Sequence, residues 1–269
     1  QYSGSTWNQL GSSVVGGFSD TLSPSSVAIA SNGLTVAIGS VNNDIYTGLL
    51  RVFSYTDSAW TLVGTHIDGK EYREHFGRSV ALNADGTIVA VGASSHGDTQ
   101  TGTLRVYQYD GVATWSQLGS DIDGPAYSEF GWSCSLSADG TIVSIGGARH
   151  DSYNGIVRVY QYSSTGSSIE WTQVGQDIVG STINDGGTFT LVGGDYTLFR
   201  GTYDSNALWN ERVGWSCSLS VNGNILVVGA INGDDGAALE TGSAKVYYLE
   251  NNTWIQLGQT LYGDSYNER

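Results

Sequence analysis

Between Gly77 and Ser120 the chain falls into four short apolar-rich stretches, "GRSVALN", "TIVAVGA", "TLRVYQY" and "TWSQLGS", divided by polar or glycine-bearing links. Apolar and polar positions alternate within the first stretch of a unit. At 132–137, Trp132, Cys134 and Leu136 fall on one face and Ser133, Ser135 and Ser137 on the other, the period of two expected of a strand. Asp-Gly or Asn-Gly links the first stretch to the second at 32–33, 85–86, 139–140 and 222–223. Both residues tolerate positive φ, so each pair predicts a tight hairpin. A glycine near the end of each second stretch ("IGS", "VGA", "IGG", "VGA") predicts close approach of a neighbouring backbone. No window carries a 3.6-residue period. The pattern predicts an all-β chain.

The four-stretch unit recurs. Its last stretch opens "WNQLG" at Trp7, "WTLVG" at Trp60, "WSQLG" at Trp115, "WTQVG" at Trp171 and "WIQLG" at Trp254, at spacings of 53, 55, 56 and 83 residues. Periods near 50 with four strands per period indicate a β-propeller of four-stranded antiparallel blades. One domain over 1–269 is expected, with units at about 18–67, 68–122, 123–178 and 209–262. The long interval leaves 179–208 as an irregular insertion: either a degenerate fifth blade or a loop that has grown a hairpin. The chain opens on a lone fourth strand around Trp7 and closes on "LYGDSYNER", where other units lead into a first strand. A piece of a larger array, or a ring closed by terminal strands, is expected. Cys134 and Cys217 occupy the position that Val80 holds in another unit, so they are expected to be unbridged apolar fillers.

Composition narrows the partners. The net charge of −15 disfavours nucleic acid and anionic membrane. The longest apolar run, "ILVVGA" at 225–230, is far shorter than the roughly 18 residues that span a bilayer. The absence of methionine, together with the sequon Asn251-Asn252-Thr253 and its glycosylation candidate Asn251, leads to an extracellular or cell-surface expectation.

The stretch "FGRSVALNADGTIVAVGASSHGDTQTGTLRVYQYDG" resembles an FG-GAP repeat, the blade unit of the integrin α-subunit head and of many secreted propellers. The landmarks are Phe76-Gly77 with Gly92-Ala93, Phe130-Gly131 with Gly146-Gly147, and Val213-Gly214 with Gly229-Ala230. The first unit, "FSDTLSPSSVAIASNG", has no FG. The resemblance implies a rigid, non-catalytic adhesion or structural module that binds another protein or joins an extracellular assembly. A lectin with aromatic pockets between blades is the alternative. The family often holds calcium in an Asp-x-Asp-x-Asp-Gly turn, but a single carboxylate per turn here cannot supply six to eight oxygens. No metal or cofactor is expected.

Alternating strand direction brings the second-to-third-strand loops (Asp44, Asp98, Asp151, Asp234, Asp235) and the lead-ins to the first strands (Asp68, Glu71, Glu74, Asp123, Glu129, Asp204, Glu211) to one acidic pole. Tyr-x-Glu recurs at Tyr72/Glu74, Tyr127/Glu129 and Tyr266/Glu268, with Trp209/Glu211 a variant, and bases recur in the third strand at Arg51, Arg105, Arg158 and Lys245. A shared register predicts that these glutamates pair with neighbouring arginines or accept backbone N–H bonds. Segment 181–208 is unique to one unit, so Tyr196, Phe199, Arg200 and Tyr203 are candidate partner contacts, with Asp98, Asp151, Asp234 and Asp235. His66, His75, His96 and His150 are read as unrelated positions without zinc spacing. No nucleophile elbow or phosphate loop occurs, so no enzyme is expected.

Overall fold

The computed structural model describes residues 2–14, 25–42, 47–164, 170–180, 182–183, 209–210, 212–231 and 242–263. Four antiparallel meanders of four strands each form propeller-like blades. Blade 1 comprises Ser26–Ile29, Thr35–Ser40, Leu49–Thr56 and Ala59–Leu62. Blade 2 comprises Phe76–Leu82, Ile88–Ala93, Thr103–Tyr109 and Trp115–Gln117. Blade 3 comprises Ser133–Leu136, Ile142–Gly147, Ile156–Ser163 and Glu170–Gln173. Blade 4 comprises Ser216–Leu219, Ile225–Ala230, Ser243–Glu250 and Thr253–Gln256. In each blade a two-residue return pairs with the start of the third strand, as Ile122–Asp123 does with Thr103 and Leu104. No helix among the described residues is long and apolar enough to cross a membrane.

Each junction between blades repeats one set of contacts. The Ser26, Ser79 and Ser133 hydroxyls donate to the carbonyls of Gly77, Gly131 and Gly214 in the next blade, at 2.8, 2.8 and 2.9 Å. Gly39, Gly92 and Gly146 lie directly against those same carbonyls, leaving no room for a Cβ. The fourth-strand tryptophans span the junction further out. The Nε1 of Trp60, Trp115, Trp171 and Trp254 donates to the carbonyls of Leu10, Val63, Leu118 and Val174 in the preceding repeat, at 2.8 to 3.0 Å. The segment around Trp7 therefore stands where the outer strand of a preceding blade would lie.

Alternation along the second strand divides its side chains between two junctions. Val89 and Val91 join the core shared with blade 1, whereas Ile88 and Ala90 join the core shared with blade 3. A third core, with Val157, Leu226 and Val228, joins blades 3 and 4. First strands of successive blades lie side by side, so the sheets fan out from a common line. The hairpins between first and second strands bond to one another at one pole (Ser31 N to Ala84 O, Ala84 N to Ala138 O, Ala138 N to Val221 O). The second-to-third-strand loops meet the first-strand lead-ins at the other.

Blade 4 packs directly on blade 3, so no blade stands between them. Thr182 pairs with Asn210 and Ile183 with Trp209; the insertion residues between them, 184–208, lie outside the described residues. Cys134 and Cys217 are unbridged. Both point towards the preceding blade: Cys134 Sγ lies 3.9 Å from Ala90 O, and Cys217 Sγ 3.3 Å from Ser144 Oγ. Burial pushes the Cys134 thiol up to about 12, consistent with an inert filler.

The glycine contacts give a paired test. In Gly92→Ala the new Cβ meets the Gly131 carbonyl, a backbone group that cannot swing away. In Gly229→Ala it meets only the Ser216 hydroxyl of its own blade, which can rotate. Urea unfolding is expected to show a loss of about 1–3 kcal/mol for Gly92→Ala and within about 0.5 kcal/mol of wild type for Gly229→Ala.

Candidate functional site

At the acidic pole of blade 2 a carboxylate and a guanidinium lock together beneath the surface. Arg105 rises from the third strand, and its Nη1 and Nη2 donate to Glu74 Oε1 and Oε2 at 3.0 and 2.9 Å. Both side chains are fully buried. Arg105 Nε donates to Asp121 Oδ2 at 2.7 Å, Gln117 Nε2 donates to Asp121 Oδ1 at 2.7 Å, and the Lys70 amide donates to Glu74 Oε1. His96 Nδ1 lies 3.2 Å from both Glu74 Oε2 and Glu71 Oε2. Burial alone would raise the Asp121 carboxyl, but hydrogen bonds from Arg105, Gln117 and Lys70 outweigh it and hold the group down to about 2.

Glu71, Glu74 and His96 bring their ligand atoms within 4.8 Å of one another, close enough to suggest a cation. Both Glu74 oxygens already accept from Arg105, however. A divalent ion there would sit beside a buried guanidinium, so the ion pair is the better account of the cluster.

Blade 3 keeps the frame and changes its contents. The Gly102 amide donates to His96 O, and the Gly155 amide likewise to His150 O. His96 and His150 thus share one repeat position, contrary to the reading of the histidines as unrelated. Ser95 N bonds to Glu74 O, and Arg149 N to Ser128 O. Ser128 therefore takes the place of Glu74, and Glu129 that of His75. The Tyr-x-Glu register is broken because the blade 3 lead-in is one residue shorter. Without the carboxylate, Arg158 forks onto Asp177, with Nε–Oδ1 and Nη2–Oδ2 both 2.8 Å. His150 Nδ1 is buried without a partner. Glu129 pairs with Arg149 Nη1 at 2.9 Å rather than with Arg158, and its Oε2 is buried without a partner.

A band of arginines and aromatics runs beside these lead-ins. Gly77, Gly131 and Gly214 all hold φ between 84° and 89°. In blade 2 the strand register shifts between Phe76 and Ser79, a bulge that turns the residue after the glycine out of the ladder. Arg78, Trp132 and Trp215 occupy that position in blades 2, 3 and 4. The Arg78 guanidinium lies 3.7 Å above the Trp132 ring, and Trp132 packs on Trp215 at 4.9 Å between centroids. Trp215 is 36% exposed. Arg149 and Arg212 flank the Tyr153 ring at 5.5 and 5.0 Å. Burial, then the Arg78 and Arg73 charges, lower the pKa of His75.

Among the described residues, no further sheet packs on the outer faces of the end blades. Ile225, Val227 and Gly229 of blade 4 face forward, as Ile88, Ala90 and Gly92 do in blade 2. Gly229 meets nothing beyond its own blade, and Ile225 and Val227 are exposed. On the rear of blade 1, Val27 and Ile29 are 67% and 63% exposed, although their counterparts Val80 and Leu82 belong to a core.

Of the expected contact residues, Asp98 is exposed in the blade 2 loop, and Asp151 is exposed and accepts from Asn154 Nδ2 at 2.8 Å. Asn251 is exposed in a hairpin turn with φ of 49°. Tyr196, Phe199, Arg200, Tyr203, Asp234 and Asp235 lie outside the described residues, as do Asp44, Asp204, Glu211, Tyr266 and Glu268. Asp85 and Asp139 close their own turns by accepting from the amides of Thr87 and Thr141, both at 3.0 Å. The arginine–tryptophan band escaped the sequence reading. Aligning the blades on the residue that follows each FG glycine would have found it.

Replacing Glu74 with serine copies the blade 3 residue into blade 2 and leaves Arg105 buried with one carboxylate. A loss of about 3–5 kcal/mol in denaturant unfolding is expected. Asp121 titrates lower in the folded chain than its usual 3.8. Its stabilisation is therefore complete above that value and disappears as pH falls towards about 2. In Asp121→Asn the stability profile is expected to be flatter across that window.

No known family and no curated protein matches the chain. Among solved structures the chain is similar to Kuenenia stuttgartiensis hydrazine synthase, with a TM-score of 0.50 and 13% identity over 95% of this chain and 54% of that one. The chain thus spans about half the length of that neighbour, and at this identity the likeness concerns the fold alone.

Proposed function

We propose that the chain is a non-catalytic, extracellular propeller module of the FG-GAP kind that acts within a larger assembly through protein–protein contacts. The open forward face of blade 4 carries this reading. Every interior junction pairs such a face with an apolar-Gly first strand, and the face presented by Ser216, Ile225, Val227 and Gly229 has the same chemistry with nothing seated on it among the described residues. Apolar faces of this kind on a folded surface mark interaction sites. The occupant that fits is another sheet of the same repeat, whose first strand opens with an apolar residue and glycine. Its glycine carbonyl would accept from the Ser216 hydroxyl and lie against Gly229. The insertion bearing Tyr196, Phe199, Arg200 and Tyr203, and the acidic loops with Asp98, Asp151, Asp234 and Asp235, are proposed as further contacts. Asn251 is the proposed glycan attachment point.

A photo-cross-linking residue in place of Val227 tests the docking. Capture is expected at an apolar-Gly first strand of the partner, and Ile225→Asp is expected to abolish it. Capture at unrelated segments, or equal capture from the exposed turn residue Val112, would overturn the reading.

A further inference from the structure

The chain carries eleven lysines and arginines against twenty-six acids, yet four of the eleven (Arg73, Arg78, Arg149 and Arg212) gather along one band. Arg78 lies over Trp132, Glu129 pairs with Arg149 at 2.9 Å, and Arg149 and Arg212 share the Tyr153 ring. Burial lowers the pKa of His75, and the Arg78 and Arg73 charges lie near enough to lower it further. Unlike Arg105 and Arg158, which are neutralised by carboxylates inside their blades, this group has Glu129 as its paired acid among the described residues. Concentrating like charge on an acidic protein opposes its own repulsion, and a bound anion would relieve it.

The aromatic part of the band narrows the anion. Arg78 covers one face of Trp132, and Trp215 packs against Trp132 with the two rings tilted by 48°. Trp215 ends the row 36% exposed, which leaves indole surface open to a ligand. Guanidinium forks match the planar oxygens of carboxylates and the oxygens of sulfates. A flat apolar ring face next to them accepts a sugar ring. An acidic peptide would use the arginines and leave the indole uncovered.

We propose that this band binds an acidic saccharide, with the ring of a uronate or sulfated sugar on Trp215 and its charged groups on Arg149, Arg212 and Arg73. Trp215 adjoins Ser216 of the forward face, so a sheet docked on blade 4 would cover this indole just as blade 4 covers Trp132. The saccharide site is that of the chain with this face free, and using the chain alone tests it separately from docking.

Calorimetry with three probes of equal length tests it: a heparin-derived hexasaccharide, maltohexaose and hexaglutamate. The sulfated hexasaccharide is expected to bind and to weaken with salt, and the other two to bind far less. Trp215→Ala is expected to weaken it about tenfold with its salt dependence retained, and Arg212→Gln about tenfold with a shallower salt dependence. Arg73→Gln reads the same charge contribution if Arg212→Gln fails to fold. Hexaglutamate binding as tightly as the sulfated sugar, full affinity in Trp215→Ala, or no binding at low salt would each overturn the proposal.

Discussion

Successive sheets are held by a contact in which two backbones meet with no side chain between them. A second-strand glycine of one blade (Gly39, Gly92, Gly146) lies against the carbonyl of the FG-type glycine of the next (Gly77, Gly131, Gly214). The serine hydroxyl beside it donates to that same carbonyl. Packing at this distance near the inner edge, with larger third-strand side chains such as Leu104, Val106 and Ile156 further out, makes each junction a wedge. A wedge repeated along the chain becomes a fan of blades. The tryptophan bonds at the outer edge then fix the angle of each wedge, because an indole N–H reaches its carbonyl only at one separation.

How much of this was legible follows from what repetition can reveal. The hairpins at 85–86 and 139–140, the third strand at 103–109 and the small side chain required at Cys134 all follow from local pattern and recur unit by unit. The same repetition misled at Glu129. Tyr-x-Glu appears intact there, but strand register is counted from the junction glycine, and one missing residue moves Glu129 out of Glu74's place. The pairing of Glu74 with Arg105 was anticipated. That of Glu129 with Arg149 was not, because Arg149 lies in a loop with no counterpart base. The packing of Arg78 on Trp132 joins residues a full repeat apart and has no signature inside either unit.

The comparison of blades 2 and 3 separates what maintains the fold from what does not. In both, the third-strand arginine finds an aspartate after the fourth strand, Asp121 or Asp177, and a glutamine at 117 or 173 braces that aspartate. This pairing survives the loss of the glutamate and so belongs to the blade. The fork from Arg105 to Glu74 is particular to blade 2. When serine replaces the glutamate, its former neighbours are left partly unsatisfied, as His150 Nδ1 is. A buried polar atom without a partner costs about 1–3 kcal/mol. Blade 3 therefore tolerates a defect that a fully idealised repeat would not contain.

The junction glycine also explains why variation gathers beside it. Its positive φ lets two backbones close, and the same bend lifts the following residue out of the hydrogen-bonded ladder. That residue is relieved of the packing demands that fix its neighbours. The positions before it stay apolar (Phe76, Phe130, Val213), and those after it stay serine (Ser79, Ser133, Ser216). Between them stand Arg78, Trp132 and Trp215, three positions that follow a positive-φ glycine and are unlike in chemistry. A site open to change in every blade, placed where successive blades converge, is where a repeat fold can acquire specificity without loosening its core. The constraint that builds the wedge thereby also exposes the surface on which the arginine–tryptophan band is assembled.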